Sequence, residues 1–483
     1  MPDPENVRPE SARTPFRADL VLLAVLAYGL ALRLFFLREP VRLDEFYTYF
    51  NYVVYPFRHI LSTYDAPNNH IFHSLLARCF YLLGGTSEAV LRLPAFIAGC
   101  ALIPAVYELA LALGLSRNSA RLAAFFTASS GGLVYYSVNA RGYSLQALLA
   151  VLCSLVYLAR GRAAMPAASL ALLCALNVLV LYTVPTGLIF VLPFFAFLFL
   201  DPGGFSRGRV AALGACCLLL AAVLYVPVLR QMAAAMHGAV GGPLLPVLGV
   251  ALSSLTPGVM PAFLLALFAA AGLFYSPKSA SRLLFFSSLL LLPLLGIAVL
   301  ALIFPSATLL PRSFLVLFPF AYILAAAGME TALRAFSGWR LRALAVVCAL
   351  VLLRGVWEDV AMARNRGALF YPDRDLFDYY RRSVRETLEG FSKNGDCIAG
   401  TGSADSLAAF YTFEKDPFSW CNSKDAAARA ALNRIFILAD NPGNLLNFCR
   451  QKVDPGKWLP PEALDTYGEA GLYLLRRQAK PSP

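Results

Sequence analysis

Two adjacent carboxylates, Asp44 and Glu45, are separated from Arg42 by one residue and stand shortly beyond the first long apolar stretch of the chain. A carboxylate at a membrane surface can accept the proton of a hydroxyl nucleophile and so act as a general base. Its neighbour could orient the acceptor or be neutralised by Arg42. The pair could instead cap a helix that begins near Phe46, because negative charge is favourable at a helix N-terminus. The residues alone leave the catalytic and the capping interpretations open.

Asn69, His70 and His73 form a second polar group, which contains two of the four histidines in the chain. Residues three apart lie on the same face of a helix, so the two imidazoles can act together. They could hold a phosphate, or a metal ion together with the carboxylates. Because the spacing supplies no third or fourth ligand, we predict that no metal or other cofactor is required, with a divalent metal as the alternative.

Arginines at the ends of apolar stretches form a third group, which consists of Arg92, Arg141 and Arg312. An arginine in or beside a bilayer is costly and generally has a partner. That partner could be the lipid headgroups, reached by snorkelling, or a bound lipid phosphate, whose oxygens match the planar guanidinium. The three arginines and the carboxylates are predicted to lie on the same side of the membrane, which favours a common polar cavity. Tyr143 and Tyr182 could line this cavity or belong to the aromatic belt of the membrane interface.

The elements that position these residues are those of a membrane protein. Of the 483 residues, 59% are hydrophobic and only 14% are charged, whereas about a quarter of a soluble protein is charged. Uncharged apolar runs of about 18 residues or more are long enough to cross the hydrocarbon layer. We predict spans at residues 19–37, 89–114, 119–137, 142–160, 163–181, 183–201, 208–230, 258–275, 282–304, 312–330 and 341–357. The predicted fold class is therefore an α-helical polytopic membrane protein with about 11–13 transmembrane helices.

The distribution of basic residues predicts how these spans are oriented. From Glu358 onward acidic and basic residues are equal in number, so the net charge of +12 arises entirely before that residue. The basic residues there lie in alternate short loops, including those of Arg117, Arg160 and Arg207, as the positive-inside rule describes for cytoplasmic loops. They are not gathered on one soluble face, which argues against nucleic-acid binding.

This orientation divides the chain into three parts. The N-terminal tail (1–18) is cytoplasmic, the membrane domain covers residues 19–357 with a large first outer loop at 38–88, and residues 358–483 lie outside the cytoplasm. The apolar segment His70–Leu83 would invert every later loop if it crossed, so we predict a re-entrant or interfacial helix there. Segment 243–257 is a second candidate for partial insertion.

Residues 358–483 are predicted to form a small soluble α/β domain. Apolar residues at helical spacing indicate a helix at Asp373–Leu388. Short apolar stretches indicate strands at Cys397–Ala399, Ile435–Leu438 and Leu472–Leu475. If this domain is outside the cytosol, one disulfide could form among Cys397, Cys421 and Cys449, and the sequence does not indicate which pair.

Several of these segments resemble, in the same order, motifs of the GT-C glycosyltransferases. They are Arg42-Leu43-Asp44-Glu45, Asn69-His70, Leu91-Arg92-Leu93-Pro94, Asn139-Ala140-Arg141-Gly142-Tyr143-Ser144-Leu145 and Leu310-Pro311-Arg312-Ser313-Phe314. The resemblance covers about residues 15–330 and is to the bacterial branch similar to protein O-mannosyltransferases and lipid A aminoarabinose transferases (family 39-like). Aminoarabinose transferases carry a carboxylate where this chain has Asn69, which argues against a metal site here.

The resemblance implies transfer of a sugar from a polyprenyl-phosphate-linked donor to a hydroxyl acceptor, which could be a lipid, a glycan or a protein. It makes Asp44 the catalytic carboxylate of a metal-independent, inverting reaction, with His70 near the donor phosphate. It also implies an active site on the extracytoplasmic face of a multi-pass protein, which we expect in the bacterial inner membrane.

Two other functions would use a similar polar cavity. One is a transporter or flippase for a lipid-linked saccharide, although transporters place their functional residues near mid-membrane and this chain concentrates them at one face. The other is an oligosaccharide ligase or polymerase, which typically has a large outer loop late in the fold, whereas here the first outer loop is the large one.

Overall fold

The computed structural model describes residues 19–158, 165–200, 205–237, 268–270, 311–335, 337–364, 374–389, 396–401, 410 and 433–478. These residues form a helical membrane part and a small C-terminal unit built on a β-sheet. The predicted fold class, a helical membrane protein with a small α/β domain at its end, is confirmed. The predicted spans at 282–304 and most of 258–275, and the segment 243–257, lie outside the described residues.

The membrane part begins with α1 (Leu20–Phe36). The segment predicted as the first outer loop then contains α2 (Leu43–Thr48), a π-helical turn (Tyr49–Val53), α3 (Phe57–Ser62) and α4 (Ile71–Gly84). The helices after this loop are α5 (Glu88–Ala112), α6 (Arg117–Ser129), α7 (Gly131–Ser137), α8 (Tyr143–Leu158), α9 (Ala167–Thr183), α10 (Leu188–Leu200), α11 (Arg207–Tyr225), α12 (Leu229–His237), α13 (Phe318–Ala335) and α14 (Gly338–Arg364). Short 3₁₀ turns at Pro185–Gly187, Val226–Val228 and Pro311–Leu317 precede α10, α12 and α13.

Three stretches of helix in the described part of the chain are long and apolar enough to cross a membrane, namely Glu88–Ala112, Arg207–Ala234 and Arg312–Ala335. Shorter apolar helices lie at Leu20–Phe36, Ile71–Gly84, Tyr143–Leu158, Ala167–Thr183 and Pro185–Leu200. Each of these agrees with a predicted apolar segment to within a few residues. The helix expected at His70–Leu83 is α4, which packs against α5 and α9.

The predicted span at 119–137 consists of two helices, because the helix breaks at Ser130. The backbone of Ser130 is extended there, and its side chain accepts a hydrogen bond from Leu133 N–H at 3.4 Å to begin α7. The last carbonyls of α6 lose their helical donors at such a break. The buried Arg33 of α1 replaces them, donating to Thr127 O at 3.3 Å and Ala128 O at 3.0 Å. The Arg33 hydrogen bonds at the break therefore fix α1 against α6. Beyond the break, α7 contacts the loop that contains Arg42.

The C-terminal unit comprises α15 (Arg374–Glu389), β1 (Asp396–Gly400), β2 (Arg434–Ala439), α16 (Pro442–Lys452), β3 (Glu462–Tyr467) and β4 (Ala470–Arg476). The sheet order is β1-β2-β4-β3, in which β1 and β2 are parallel and the other pairs antiparallel. The helix and the three apolar strands expected from the sequence are present. Strand β3 was not predicted, because it is an edge strand exposed at every residue and lacks the apolar alternation that marks a half-buried strand. Cys397 is disulfide-bonded, whereas Cys449 is a free cysteine.

Candidate active site

Asp44 lies in the first turn of α2 and presents a half-exposed carboxylate to groups from three other parts of the chain. Its Oδ2 is 3.4 Å from an Nη1 of both Arg141 and Arg312, and the side chain is 46% exposed. The Asn68 amide donates to Oδ1 at 3.5 Å. These partners precede α8, α13 and α4, so the site exists only when the N-terminal ends of those helices meet. The nearest groups are two cations and an amide donor, an environment that suits an anion beside the carboxylate.

Glu45, the neighbour of Asp44, is fully buried and holds the loop together. Its two carboxylate oxygens accept a bidentate pair of hydrogen bonds from Arg92, each 2.7 Å long. Oε1 also accepts from Ala140 N–H at 2.8 Å, and Oε2 from Arg42 N–H at 3.1 Å, which caps α2. Burial raises the pKa of the Glu45 carboxyl, but the Arg92 guanidinium and these donors outweigh burial and lower it overall.

The capping interpretation therefore applies to Glu45 and not to Asp44. With its oxygens occupied and its side chain buried, Glu45 does not face an acceptor, which differs from the catalytic role that the sequence suggested for it. Its contacts connect the backbone beside Asp44 to Ala140, the residue before Arg141. Glu45 is thus placed to set the distance between the carboxylate and a cation of the site.

Arg92 is fully buried and uses every N–H group of its guanidinium within the protein. Besides Glu45, it donates to the carbonyls of Leu37, Glu39 and Pro40 at 2.7–3.0 Å. This arginine was expected at the donor phosphate, and the geometry corrects that expectation, since no N–H remains for a phosphate oxygen. Arg92 instead shapes the turn that joins α1 to α2.

Arg141 is the opposite case. It is 1% exposed, yet its three guanidinium nitrogens have no hydrogen-bond partner in the described part of the chain. Its closest charged neighbour is Asp44, at 3.4 Å. Leaving buried donors without acceptors is unfavourable, so beyond its ion pair with Asp44 this guanidinium has donors available for an anion beside the half-open carboxylate.

His70 is buried and its tautomer is fixed by the backbone. Its Nδ1 accepts a hydrogen bond from Gly142 N–H at 2.8 Å. Because Nδ1 uses its lone pair in this contact, the neutral ring carries its proton on Nε2 and can donate there. Burial and the nearby positive charges of Arg141 lower the pKa of His70 well below its ordinary value. The residue is therefore a neutral donor, and not the cation that a basic position suggests.

Gly142 makes this contact possible by its small size. A Cβ at Gly142 would lie 2.6 Å from Thr183 Cγ2 and 3.2 Å from the His70 ring. The tyrosine that follows it, Tyr143, meets the His70 ring edge to face at 4.9 Å. The segment after α7 thus approaches α4 and α9 too closely for any larger residue at position 142.

Tyrosines form the wall around the cations. The guanidinium carbons of Arg141 and Arg312 each lie 6.0 Å from the Tyr143 ring centre, and Tyr136 packs edge-on against Tyr143 at 4.8 Å. Arg42 stacks over the Tyr135 ring at 4.0 Å, within the range of a cation–π contact. Tyr135 and Tyr136 were missed from the sequence, since they looked like the end of a predicted span. The break at Ser130-Gly131-Gly132 was the available signal. Asn68 and Gly142 lie in the predicted motif segments but were given no role.

The remaining predicted residues have supporting positions. Asn69 donates to the carbonyls of Ile60 and Thr63 at 3.0 and 2.8 Å, which fixes the loop before His70. His73 is fully buried on α4, and neither ring nitrogen has a hydrogen-bond partner in the described residues. Tyr182 is buried against Tyr225, at 5.5 Å between ring centres, and belongs to the aromatic cluster beneath the loop.

No group of three or more histidine, cysteine, aspartate and glutamate residues is close enough to hold a metal ion within the described ranges. The ion pairs of the Asp44 carboxylate there are with Arg141 and Arg312.

No family model and no curated protein matches the chain, but its fold occurs in solved structures. ArnT from Cupriavidus metallidurans, in the apo state and bound to undecaprenyl phosphate, superposes with a TM-score of 0.60 at 12% sequence identity, covering 94% of this chain and 97% of that one. The arabinofuranosyltransferase AftD from Mycobacteria superposes with a TM-score of 0.52 at 16% identity, covering 95% of this chain and 40% of that one. The chain therefore shares its fold with ArnT and AftD, in agreement with the fold that the resemblance of its motifs to GT-C glycosyltransferases implied.

Proposed function

We propose that the protein transfers a sugar from a polyprenyl-phosphate-linked donor to a hydroxyl acceptor. The observation that carries this proposal is the pairing of Asp44 with Arg141. A half-exposed carboxylate lies 3.4 Å from a buried guanidinium whose nitrogens have no hydrogen-bond partner in the described residues. A base and a phosphate-binding fork at this distance are what transfer from a sugar phosphate requires. The likeness of the fold to an ArnT structure bound to undecaprenyl phosphate supports the choice of donor.

In the proposed reaction the acceptor O–H gives its proton to Asp44 as its oxygen attacks the anomeric carbon. The bond from that carbon to the phosphate oxygen breaks, and its electron pair leaves with the polyprenyl phosphate. Arg141, Arg312 and the Nε2–H of His70 stabilise the charge that develops on the phosphate. Attack opposite the leaving group inverts the configuration at the anomeric carbon.

Charge balance supports a monophosphate donor. Asp44, Arg141 and Arg312 together carry one net positive charge, which matches the single negative charge of a phosphodiester. After transfer Asp44 is protonated and the released phosphate carries up to about two negative charges. The two arginines then match the product, so the site stays close to neutral throughout.

We place this site outside the cytoplasm, in a protein of the bacterial inner membrane. The arginine-rich loops favour this orientation, and so does the disulfide-bonded Cys397, since structural disulfides belong to oxidising compartments. The acceptor could be a lipid, a glycan or a protein, and we propose no metal requirement.

Replacement of Asp44 by Asn tests the proposal. The amide keeps the size of the side chain but not the base, and a general base contributes about 10²- to 10⁴-fold in rate. We expect transfer from polyprenyl-phosphate sugars in liposomes to fall by that factor, while undecaprenyl phosphate still binds. A parental transfer rate per folded molecule in Asp44→Asn would contradict the mechanism and favour a flippase.

A further inference from the structure

Phe410 lies far along the chain from the last predicted membrane span. Its side chain is nevertheless buried in the apolar cluster of the first outer loop. It is 3% exposed, and its ring packs edge-on against Tyr49 with centroids 5.0 Å apart. The same cluster contains Val41 and Ala140. These two residues directly precede Arg42 and Arg141, so Phe410 belongs to the apolar cluster that supports both segments of the site.

A second contact, which is polar, joins α15 to the two ends of that loop. Arg381 donates to the carbonyl of Arg38 at 2.9 Å. Its guanidinium and that of Arg385 lie 3.6 and 3.4 Å from the same oxygen of Glu88. Glu88 is 7% exposed and begins α5. The loop is thus held at residue 38 and at residue 88 by one helix of the C-terminal unit.

The polar contact leads directly to Asp44. Arg38 stands between Leu37 and Glu39, whose carbonyls accept hydrogen bonds from Arg92. Arg92 in turn holds Glu45, the neighbour of Asp44. The hydrogen bond from Arg381 to residue 38 is exposed, whereas those from Arg92 to the carbonyls of residues 37 and 39 and to Glu45 are buried. Residue 38 joins the two sets through the backbone, so its displacement would shift the carbonyls that hold Arg92 beside Glu45.

We propose that the C-terminal unit is a positioning element of the transfer site, in which Phe410 and Arg381 hold the loop that places Asp44 against Arg141. The expected effect on sugar transfer rests on the proposed function, whereas the docking of the C-terminal unit on the loop does not. Phe410 and Arg381 are positioning residues, since neither touches the reacting groups. Small displacements matter here, because misplacement of a reacting group by about 1 Å can reduce a rate by about 10²-fold.

The test uses the full-length protein in nanodiscs with four variants. Phe410→Ala and Arg381→Ala remove the two contacts, and Phe410→Leu restores most of the apolar volume. Arg382→Ala is the matched control, because Arg382 is the next residue on α15, is 62% exposed and, among the described residues, forms its ion pair with Asp378 of its own helix. Hydrogen–deuterium exchange of peptides from residues 37–48 reports docking, and transfer kinetics with a polyprenyl-phosphate sugar report its effect.

We expect faster exchange at residues 37–48 in Phe410→Ala and Arg381→Ala, near-parental exchange in Phe410→Leu, and no change in Arg382→Ala. We also expect kcat to fall by ~10- to 100-fold in the first two variants with little change in the donor KM. Unchanged exchange at residues 37–48 would overturn the docking, and faster exchange with a parental kcat would overturn the positioning role. A parental protein that transfers no sugar would contradict the proposed function, while the exchange data would still decide the docking.

Discussion

At the scale of single residues, Arg92 and Arg141 show that the same side chain can be structural or available for a ligand. Both are buried, but Arg92 donates all its N–H groups to Glu45 and to three carbonyls. The Arg141 guanidinium has no hydrogen-bond acceptor in the described residues. Burial and residue type do not separate these two cases, whereas the number of donors already used does.

Arg141→Ala and Arg312→Ala should each weaken binding of undecaprenyl phosphate. A hydrogen bond to a charged group contributes about 1.5–3 kcal/mol, so each loss corresponds to ~10- to 100-fold in Kd. Arg141→Lys should recover only part of the affinity, because an ammonium lacks the planar fork. Titration in detergent measures the effect, with Arg121→Ala as the control, since Arg121 pairs with Asp19 and not with the site. Parental affinity in Arg141→Ala would give that residue a structural role.

His70→Gln should preserve much more transfer than His70→Ala. A glutamine amide can accept from Gly142 N–H and donate from its nitrogen, as the neutral imidazole does. The lowered pKa of His70 keeps the ring neutral at pH 7, so the parental pH–rate profile should show no loss of activity as pH rises through 6–7. Equal losses in both variants, or a decline through that range, would indicate that the imidazolium is the active form.

At the scale of elements, α2 is positioned by side-chain contacts with neighbouring segments and not by its own helical stability. The helix has six residues, too few to be stable in isolation. The Glu45 carboxylate fixes its N-terminus by contacts to Arg92, Arg42 N–H and Ala140 N–H. A short helix held in this way keeps Asp44 beside Arg141 and Arg312 while leaving its carboxylate half exposed.

Glu45→Gln should destabilise the protein and also lower the transfer rate. The change leaves the Arg92 charge unpaired in a buried site, and breaking a buried pair costs about 3–5 kcal/mol. Since the pKa of Glu45 is lowered by folding, its contribution is complete at neutral pH and is lost as pH falls through the folded-state pKa.

Thermal unfolding in detergent measures the stability of this variant, and transfer per folded molecule measures the effect on Asp44. The matched control is Glu462→Gln, because Glu462 is 62% exposed and its pair with Arg476 is 3.8 Å long. Exposed pairs contribute little, so the control should behave as the parent. A Glu45→Gln protein of parental stability would show that Arg92 finds other acceptors.

At the scale of the whole molecule, the described polar site gathers at one end of the bundle. Asp44, Arg141 and Arg312 precede or begin different helices, and α15 of the C-terminal unit packs on the loop beside them. The loops that contain Arg117 and Arg207 lie directly before α6 and α11. In the predicted topology these loops are on the side of the membrane opposite to the site. This separation predicts that the C-terminal unit and the site share one side of the membrane.

Cysteine labelling tests that orientation. Thr466→Cys on the exposed strand β3 should react with a membrane-impermeant maleimide in intact cells whose outer membrane has been permeabilised. Gly208→Cys should react only after the inner membrane is opened. A side chain at position 208 has open space around it, so poor reactivity there would not arise from packing. Labelling of Gly208→Cys from outside would reverse the proposed topology.

The sequence by itself determined the class of fold, the approximate spans and the main polar segments. Apolar runs and alternating basic loops are local signals, because the bilayer imposes both length and charge rules on each segment separately. Asp44, Arg141 and Arg312 were identified in this way, although they are distant in the chain. The helix and the apolar strands of the C-terminal unit were local signals as well.

Only the tertiary structure separated the roles of these residues. Whether Glu45 or Asp44 caps α2, whether Arg92 or Arg141 has donors left, and which nitrogen of His70 carries the proton all depend on partners about 50–100 residues away. The carbonyls at the Ser130 break are likewise held by Arg33, 95 residues from Ala128, and Phe410 is buried against Tyr49 of the first outer loop. Hydrogen bonds are satisfied in three dimensions, so the chemistry of a buried polar group follows from what surrounds it and not from its type.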